Sequence, residues 1–306
     1  MNLKQNINNP KISIIIPCYN SGSTIEKCIN SVLAQDNVNK EIIVVDDGSK
    51  DCSLDIIKRY GNKILLLVKD KENDEQGAAS ARNRGLRVAT GEYVAFLDSD
   101  DFYLPGYLNR LSRELESNLK LGFAFCRQKS LINNELIPWT RQNLNIWDEK
   151  YHVLHRSKII STNIILIRKS VIDKVGKFDT SLSNGEDSDF WLRISEMSAG
   201  KFIDFYGAVY RIDHSPNQLT RSVSKYDKLN LSRKVLINSY LRSLNDNQID
   251  KIKLVIIIRN LIYTYLPLNQ GKIFTVLRFI YTSIVLLILF PLTYIKYLKG
   301  LNQDVK

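Results

Sequence analysis

The stretch GEYVAFLDSDD, residues 91–101, joins an apolar run to three carboxylates within four positions. Its first half is rich in β-branched and aromatic side chains, which predicts a buried strand. Ligands bind at the carboxyl ends of strands in open α/β sheets, where Asp98, Asp100 and Asp101 would repel one another without a cation among them. Carboxylate oxygens suit Mg²⁺ or Mn²⁺, which usually arrives with a diphosphate. The alternative is a solvated turn in which Asp101 caps a helix that begins near Leu104.

Strand and helix patterns alternate along the first 130 residues. Ser23 and Glu26 have the spacing of a capping box at the start of the first helix. The predicted strands are 11–16, 41–45, 64–68, 92–97 and 121–126, and the predicted helices are 23–33, 53–60, 77–88 and 189–197. Apolar strands separated by helices predict an α/β fold with a mostly parallel, Rossmann-like sheet that is flanked by helices.

Groups suited to a nucleotide follow the first strands of this pattern. Pro17-Cys18-Tyr19-Asn20 offers backbone amides and an aromatic ring, and Asp47 could accept the imide N–H of a uracil. Arg82, on the third helix, would point a guanidinium toward a base or a phosphate. Each of these residues alone could be purely structural, but their convergence with the acids of residues 98–101 on one sheet edge predicts a nucleotide pocket.

An acidic pair, Glu186-Asp187, precedes the predicted helix 189–197. Anions are favoured near a helix start, so Asp187 could be an N-cap, a general base, or both. A carboxylate in that position can take the proton of an attacking hydroxyl.

Five motifs in this order resemble glycosyltransferase family two, which has the GT-A fold. They are ISIIIPCYN (12–20), EIIVVDDGSKD (41–51), GAASARNRGL (77–86), GEYVAFLDSDD (91–101) and NGEDSDFWLR (184–193). The resemblance covers about residues 10 to 215 and extends to bacterial surface-polysaccharide glycosyltransferases. It implies an inverting enzyme that takes a sugar from a nucleotide-diphosphate donor, with Mn²⁺ or Mg²⁺ as cofactor. Such transfer needs a base for the attacking hydroxyl and a metal that neutralises the leaving group. One base opposite the departing diphosphate gives inversion, without the second carboxylate nucleophile of a retaining mechanism.

The resemblance also implies roles for the acids of residues 98–101 and for the nucleotide-binding residues. Asp98 and Asp100 occupy the DxD positions, the first toward the ribose and the second toward the metal, and Asp101 beside them shares the metal role. Tyr19 would flank the base and Asp47 would hold its N3. Arg82 would contact the nucleotide.

The same resemblance assigns the base and a closing element. Asp187, with Glu186 beside it, matches the family's base motif and would deprotonate the acceptor hydroxyl. His214, in Tyr210-Arg211-Ile212-Asp213-His214, resembles a Tyr-Arg-x-His element that closes over the metal-bound diphosphate. This chain has one additional residue between Arg211 and His214.

Five other side chains, all His or Trp, have the chemistry of a metal or sugar site. His152 and His155 have helical i, i+3 spacing but no third partner, which favours structural roles over metal binding. Trp139 and Trp147 lie in a polar, irregular region, where they could be sugar platforms of the acceptor site or core residues. Trp191 is predicted to anchor its helix to the sheet.

The net charge of +11 is unevenly distributed. Residues 1–200 hold 27 basic against 26 acidic side chains, whereas residues 201–306 hold 16 against 6. Residues 279–295 carry no charge, and at roughly 1.5 Å per residue they would reach about 25 Å, short of a hydrocarbon core of about 30 Å. A basic, apolar tail predicts attachment to a membrane surface rather than to nucleic acid, and a packed or dimerising helix pair is the alternative.

Three regions follow from these patterns: a flexible tail at 1–10, a GT-A catalytic domain at 11–220, and a helical, basic and apolar region at 221–306. The four cysteines have no CxxC spacing, which indicates reduced thiols in a cytoplasmic setting. We expect a nucleotide-sugar donor, a saccharide or lipid-linked acceptor, and a location at the cytoplasmic face of the plasma membrane, with a peripheral or shallow attachment.

Two other functions fit the sequence less well, and its patterns predict no oligomeric state. A non-catalytic nucleotide-binding or membrane-scaffold protein would not need Asp98, Asp100 and Asp187 together. A nucleotidyltransferase would need a Gly-rich phosphate loop with a Lys or Arg near the first strand, and residues 17–23 do not have one.

Overall fold

The computed structural model describes residues 10–69, 75–139, 160–182 and 185–212. Several predictions lie outside the described residues: the tail through residue 9, the region 221–306, and His152, His155, Trp147 and His214. Among the helices of the described residues, none is both long and apolar enough to span a bilayer.

Four parallel strands form the first half of the sheet, in the order β3-β2-β1-β4. They are β1 (Ile12–Cys18), β2 (Lys40–Asp46), β3 (Leu65–Val68) and β4 (Tyr93–Phe96). Every residue of β1 is buried, which its nearly continuous apolar sequence predicts, because helices cover both faces of a parallel sheet. The predicted parallel pairing is confirmed for these four strands, with boundaries within two residues.

Helices cover the two faces of this half. They are α1 (Ile25–Leu33), α2 (Ser53–Lys58) and α3 (Ala78–Val88), with a 3₁₀ turn at Gly61–Lys63. Helix α1 packs on the face that includes Ile14, and α3 packs on the opposite face against Ile15. A Cβ on Gly85 would lie 2.5 Å from Ile15 Cγ2, so this glycine allows α3 to approach β1 closely.

The second half of the sheet is mixed and continues in the order β4-β8-β6-β9-β5, with β7 paired to β6. Strand β8 is antiparallel to both β4 and β6, and β9 is parallel to β6. The strands are β5 (Phe102–Tyr103), β6 (Leu121–Ile132), β7 (Glu135–Pro138), β8 (Ile165–Arg168) and β9 (Ala199–Arg211). The helices are α4 (Tyr107–Ser117), α5 (Lys169–Val175) and α6 (Glu186–Met197), and a 3₁₀ turn at Thr162–Ile164 precedes β8.

An aromatic cluster fixes α6 to the parallel strands. The rings of Phe178 and Phe190 stack at 4.0 Å, and Trp191 packs 6.0 Å from Phe96 of β4. All four rings are fully buried, so they supply a large apolar area together with edge and stacking contacts. The predicted anchoring role of Trp191 is confirmed, and the cluster places the start of α6 near the end of β4.

The predicted capping box at the start of α1 is wrong. Thr24 precedes the helix and its hydroxyl donates to the Ser21 carbonyl at 3.2 Å instead of accepting from the first turn. The Ser21 carbonyl also accepts from the backbone N–H groups of Thr24 and Ile25, both at 2.9 Å. The Ser21 carbonyl, in the loop after β1, therefore accepts the hydrogen bonds at the start of the helix. Ser23 and Glu26 do not form the predicted capping box.

Three further boundaries differ from prediction. Helix α4 begins at Tyr107, after Gly106 in the left-handed region (φ 77), so Asp101 does not cap it. Helix α6 begins at Glu186 after Gly185 (φ 81), so Asp187 lies in its first turn and is not its N-cap. Strand β6 continues past the predicted end to Ile132, because its second half pairs with β7 and β9.

Candidate active site

The loops after β1 and β2 are joined at the carboxyl edge of the parallel strands. The backbone N–H of Asn20 donates to Ser49 Oγ at 3.0 Å, and Asn20 Oδ1 accepts from the Lys50 N–H at 2.8 Å. Pro17 is buried within β1, whereas the Tyr19 side chain beyond it is 46% exposed. The predicted nucleotide-facing ring therefore lies at the edge where these strands end.

The acids that follow β4 form a tight turn. The Asp101 N–H donates to the Asp98 carbonyl at 3.0 Å, and Asp98 and Asp100 are half-buried. Ser99 and Ser21 share a hydroxyl hydrogen bond of 2.7 Å, which ties this turn to the loop after β1. The acidic turn, residues 98–101, is thus part of the same sheet edge.

Asp101 differs from the other two acids of the turn. It is 1% exposed, Asn163 donates to its Oδ2, and the Arg211 backbone N–H donates to its Oδ1 at 2.7 Å. Burial and the neighbouring charges of Asp100 and Asp98 raise the pKa of this carboxyl well above its usual range. Both oxygens of Asp101 accept hydrogen bonds from protein donors, so this residue supports the turn from inside the protein.

A buried guanidinium joins the acidic turn to the start of α6. Arg82 of α3 has a 5% exposed side chain and makes ion pairs with Asp98 Oδ1 at 2.7 Å and with Glu186 Oε1 at 3.0 Å. The interior strengthens such charge-assisted bonds and makes an unpaired charge costly. The structure therefore brings together the predicted ribose-facing acid, the predicted nucleotide-facing cation, and the acid beside the predicted base.

Asp187 lies next to this network in the first turn of α6. Burial and the adjacent Glu186 carboxylate raise its pKa to about 6, and the Arg82 guanidinium opposes that shift. A carboxyl with a pKa near the working pH can accept a proton and release it again. The position of Asp187 thus has the electrostatics of a general base.

Asp47 is buried and already paired. Its Oδ1 accepts from Arg84 at 2.7 Å and its Oδ2 accepts from the Gly77 N–H, also at 2.7 Å. Sequence reasoning missed Arg84. The available signal was the Arg-x-Arg spacing within α3, a helix otherwise made largely of small residues.

The donor set can be compared with the chemistry of a divalent cation. Among the described residues, no group of three or more His, Cys, Asp or Glu side chains is arranged to hold a metal. Asp98 and Asp100 supply hard oxygen ligands at the strand end, and Mg²⁺ in nucleotide sites is held by one or two carboxylates plus substrate phosphates. These two residues fit such a metal.

Comparison with protein families gives the class of this chain. The family described as Glycosyl transferase family 2 matches residues 13–176, which is more than half of the 306 residues. The chain belongs to glycosyl transferase family 2. The match includes the acidic turn, Asp47 and Arg82, and it ends before Glu186 and Asp187.

Curated relatives agree with this family. An uncharacterized glycosyltransferase of Rickettsia prowazekii is 35% identical over 209 residues, which cover 64% of this chain and 62% of the relative. The uncharacterized glycosyltransferase EpsJ of Bacillus subtilis is 32% identical over 221 residues, with 69% of this chain and 63% of EpsJ covered. Chondroitin synthase of Pasteurella multocida is 28% identical over 76% of this chain and 23% of its own length. The chain thus spans less than two thirds of each of these relatives.

Solved structures confirm the GT-A fold. S. aureus TarS in complex with UDP-GlcNAc superposes with a TM-score of 0.61 and 21% identity, covering 84% of this chain and 82% of TarS. The mannosyltransferase PcManGT of Pyrobaculum calidifontis, in complex with GDP-Man and Mn²⁺, gives a TM-score of 0.57 at 17% identity over 98% of this chain and 86% of its own. At this identity the likeness concerns the fold.

The charges around Asp187 predict how its pKa responds to substitution. Carboxyl NMR titration of the wild type should give a value near 6. Glu186→Gln removes the neighbouring negative charge and should lower that pKa, whereas Arg82→Gln removes the opposing positive charge and should raise it. The exposed pair residue Asp173, varied as Asp173→Asn, is the control that should leave it unchanged. Shifts of the same sign in both site variants would contradict this electrostatic account.

Proposed function

We propose that the protein is an inverting, metal-dependent glycosyltransferase. It moves a sugar from a nucleotide-diphosphate donor, a UDP-sugar, to a saccharide or lipid-linked saccharide. One observation carries the proposal: Arg82 contacts both Asp98 of the acidic turn and Glu186 beside Asp187, so a donor-binding group and a base lie in one site.

The donor half of the site uses the ends of β1, β2 and β4. The exposed Tyr19 ring is available to flank a base. Asp47 is the acceptor assigned to the N3–H of uracil, because each of its oxygens accepts one protein hydrogen bond and has a second lone pair. Asp98 and Asp100 would hold Mn²⁺ or Mg²⁺, and that metal supplies neutralisation of the charge that develops on the leaving diphosphate. Asp101 supports the turn from behind, which places it outside the ligand set that we propose.

The acceptor half uses the start of α6. The acceptor hydroxyl oxygen bonds to the anomeric carbon while Asp187 takes the hydroxyl proton. The bond from that carbon to the diphosphate oxygen breaks, and its electron pair leaves with the diphosphate. The half-buried position of Asp187 makes it a stronger base than an exposed aspartate. A single base on the face opposite the leaving group inverts the anomeric centre.

The donor and acceptor classes are supported by the named relatives. TarS was crystallised with UDP-GlcNAc and PcManGT with GDP-Man and Mn²⁺, which are both nucleotide-diphosphate sugars. Chondroitin synthase, by its name, makes a polysaccharide. A screen of nucleotide-sugars for Mn²⁺-dependent hydrolysis by this protein would identify the donor.

Removing the base should stop transfer without loss of donor binding. With the donor from that screen, Asp187→Asn should lower the transfer rate by about 10²–10⁴-fold, the usual effect of general-base removal. Its free energy of unfolding at neutral pH should rise, because burial of this ionised carboxylate opposes folding. Rates come from single-turnover assays and stability from urea unfolding.

The matched control is Asp173→Asn, which removes an exposed carboxylate of α5. This variant should retain full activity. Turnover at the wild-type rate in Asp187→Asn would transfer the base role to Glu186 or Asp189. A wild type that binds donor yet neither transfers nor hydrolyses it would support the non-catalytic alternative instead.

Removing the second acid of the turn should abolish the metal dependence of donor binding. Asp100 is half-buried at the end of a strand and outside the core, so Asp100→Ala should fold normally. Calorimetry with UDP should show that Mn²⁺ tightens binding to the wild type and has no effect on the variant. Equal tightening in both proteins would contradict the metal role of Asp100.

We propose that the region 245–306 attaches the protein to a membrane surface. Lys and Arg are interspersed there among aliphatic residues before the uncharged run 279–295. Each basic residue near an anionic lipid surface contributes about 1 kcal/mol to the binding free energy. The full chain should sediment with anionic liposomes, and high salt should weaken this without abolishing it, because the apolar run contributes independently. A full chain that ignores liposomes would favour the packed helix pair.

A further inference from the structure

We infer that Asn163 is a positioning residue for the metal-binding carboxylates, through hydrogen bonds to both ends of the acidic turn. This inference rests on the proposed function, in which Asp98 and Asp100 hold a divalent metal. The role that we assign to Asn163 is to act through the turn and not to bind the metal itself. Nothing in its local sequence, Ser161-Thr162-Asn163-Ile164, marks it as part of the site.

Asn163 contacts the turn at its first and last residues. Its Oδ1 accepts from the Asp98 backbone N–H at 2.9 Å, and its Nδ2 donates to Asp101 Oδ2. The side chain is fully buried, at 0% exposure. One amide therefore fixes the point where β4 ends and the point where the turn returns toward β5.

The contacts behind Asn163 make this a rigid support. It lies in the 3₁₀ turn Thr162–Ile164, directly before β8, and β8 pairs with β4. Asp101 also accepts from the Arg211 N–H at the end of β9. The acidic turn is thus tied to β8 through Asn163 and to β9 through Asp101, and the carboxylates of Asp98 and Asp100 are directed by that frame.

An amide is the side chain that these contacts require. Asn163 accepts from a backbone N–H through Oδ1 and donates to a carboxylate through Nδ2, and an amide offers both groups on separate atoms. An aspartate keeps the acceptor but puts a second carboxylate against Asp101, and an alanine leaves both partners buried without a bond. Support of this kind commonly matters to metal sites, where its loss costs about 10–100-fold in affinity.

The first experiment measures Mn²⁺ binding in the presence of a fixed concentration of UDP. Asn163→Ala and Asn163→Asp should each weaken Mn²⁺ binding by about 10-fold or more. The matched control is Ser13→Ala, because Ser13 is equally buried and also makes two hydrogen bonds, to Glu41 and to the Gly91 N–H, at the other end of the strands. It should bind Mn²⁺ as the wild type does. Wild-type affinity in both Asn163 variants would overturn the inference.

The second experiment exchanges the two partners. Asp101→Asn alone places the new amide group at position 101 against the Nδ2 donor of Asn163. This variant should weaken Mn²⁺ binding, as Asn163→Asp does. In the double variant the carboxylate at 163 accepts from the amide at 101, and the Arg211 N–H and the Asp98 N–H keep oxygen acceptors. Binding should therefore recover to within a few-fold of the wild type. If Asp101 were itself a metal ligand, the double variant would stay as weak as Asp101→Asn, and the inference would be wrong.

The third measurement needs no ligand and separates this inference from the proposed function. Amide hydrogen exchange at Asp98 should be slow in the wild type and in Ser13→Ala, and fast in Asn163→Ala, because the acceptor of that N–H is gone. Unchanged protection in Asn163→Ala would overturn the support role. A wild type that binds UDP without any Mn²⁺ dependence would contradict the proposed metal, while the exchange data would still decide whether Asn163 holds the turn.

Discussion

Acidic side chains gathered at one sheet edge repel one another, and the buried guanidinium of Arg82 is the contact that holds this site together. It pairs with Asp98 and with Glu186, which come from elements far apart in the chain. The guanidinium can reach them only because α3 lies close to β1, and the absence of a side chain on Gly85 permits that approach. Packing on one face of the sheet thus sets the electrostatics at its edge.

This arrangement favours chemistry at the expense of stability. Buried ion pairs seldom stabilise a fold more than apolar residues would, since desolvation offsets their attraction. Arg82 in addition lowers the pKa of Asp187 while burial and Glu186 raise it, and the balance leaves that carboxyl near 6. A network that holds opposing charges in this balance is typical of a site whose proton affinity matters.

The parallel half of the fold could be predicted from sequence because β1 and β2 are nearly continuous apolar runs and each is followed by a helix pattern. The cap of α1 could not, because the Ser21 carbonyl in the loop after β1 accepts from the backbone N–H groups at the start of the helix, and Ser23 and Glu26 do not form the capping box that their spacing predicts. The motifs named the acids of the site and Arg82, but not Arg84 or Asn163. The packing of α3 brings Arg84 to Asp47, and the pairing of β8 with β4 brings Asn163 to the acidic turn.

The three acids of the turn show how neighbours in sequence acquire different roles. Asp98 and Asp100 stay half-buried at the edge, whereas the tight turn points Asp101 into the protein, where Asn163 and the Arg211 N–H meet it. Burial alone would make a third carboxylate in this place unfavourable. The two donors offset that cost only while the turn keeps its shape, so Asp101 links the geometry of Asp98 and Asp100 to the pairing of β8 and β9. The three neighbouring acids, which the sequence alone would treat alike, therefore divide into two that are half-buried at the sheet edge and one that is buried behind them.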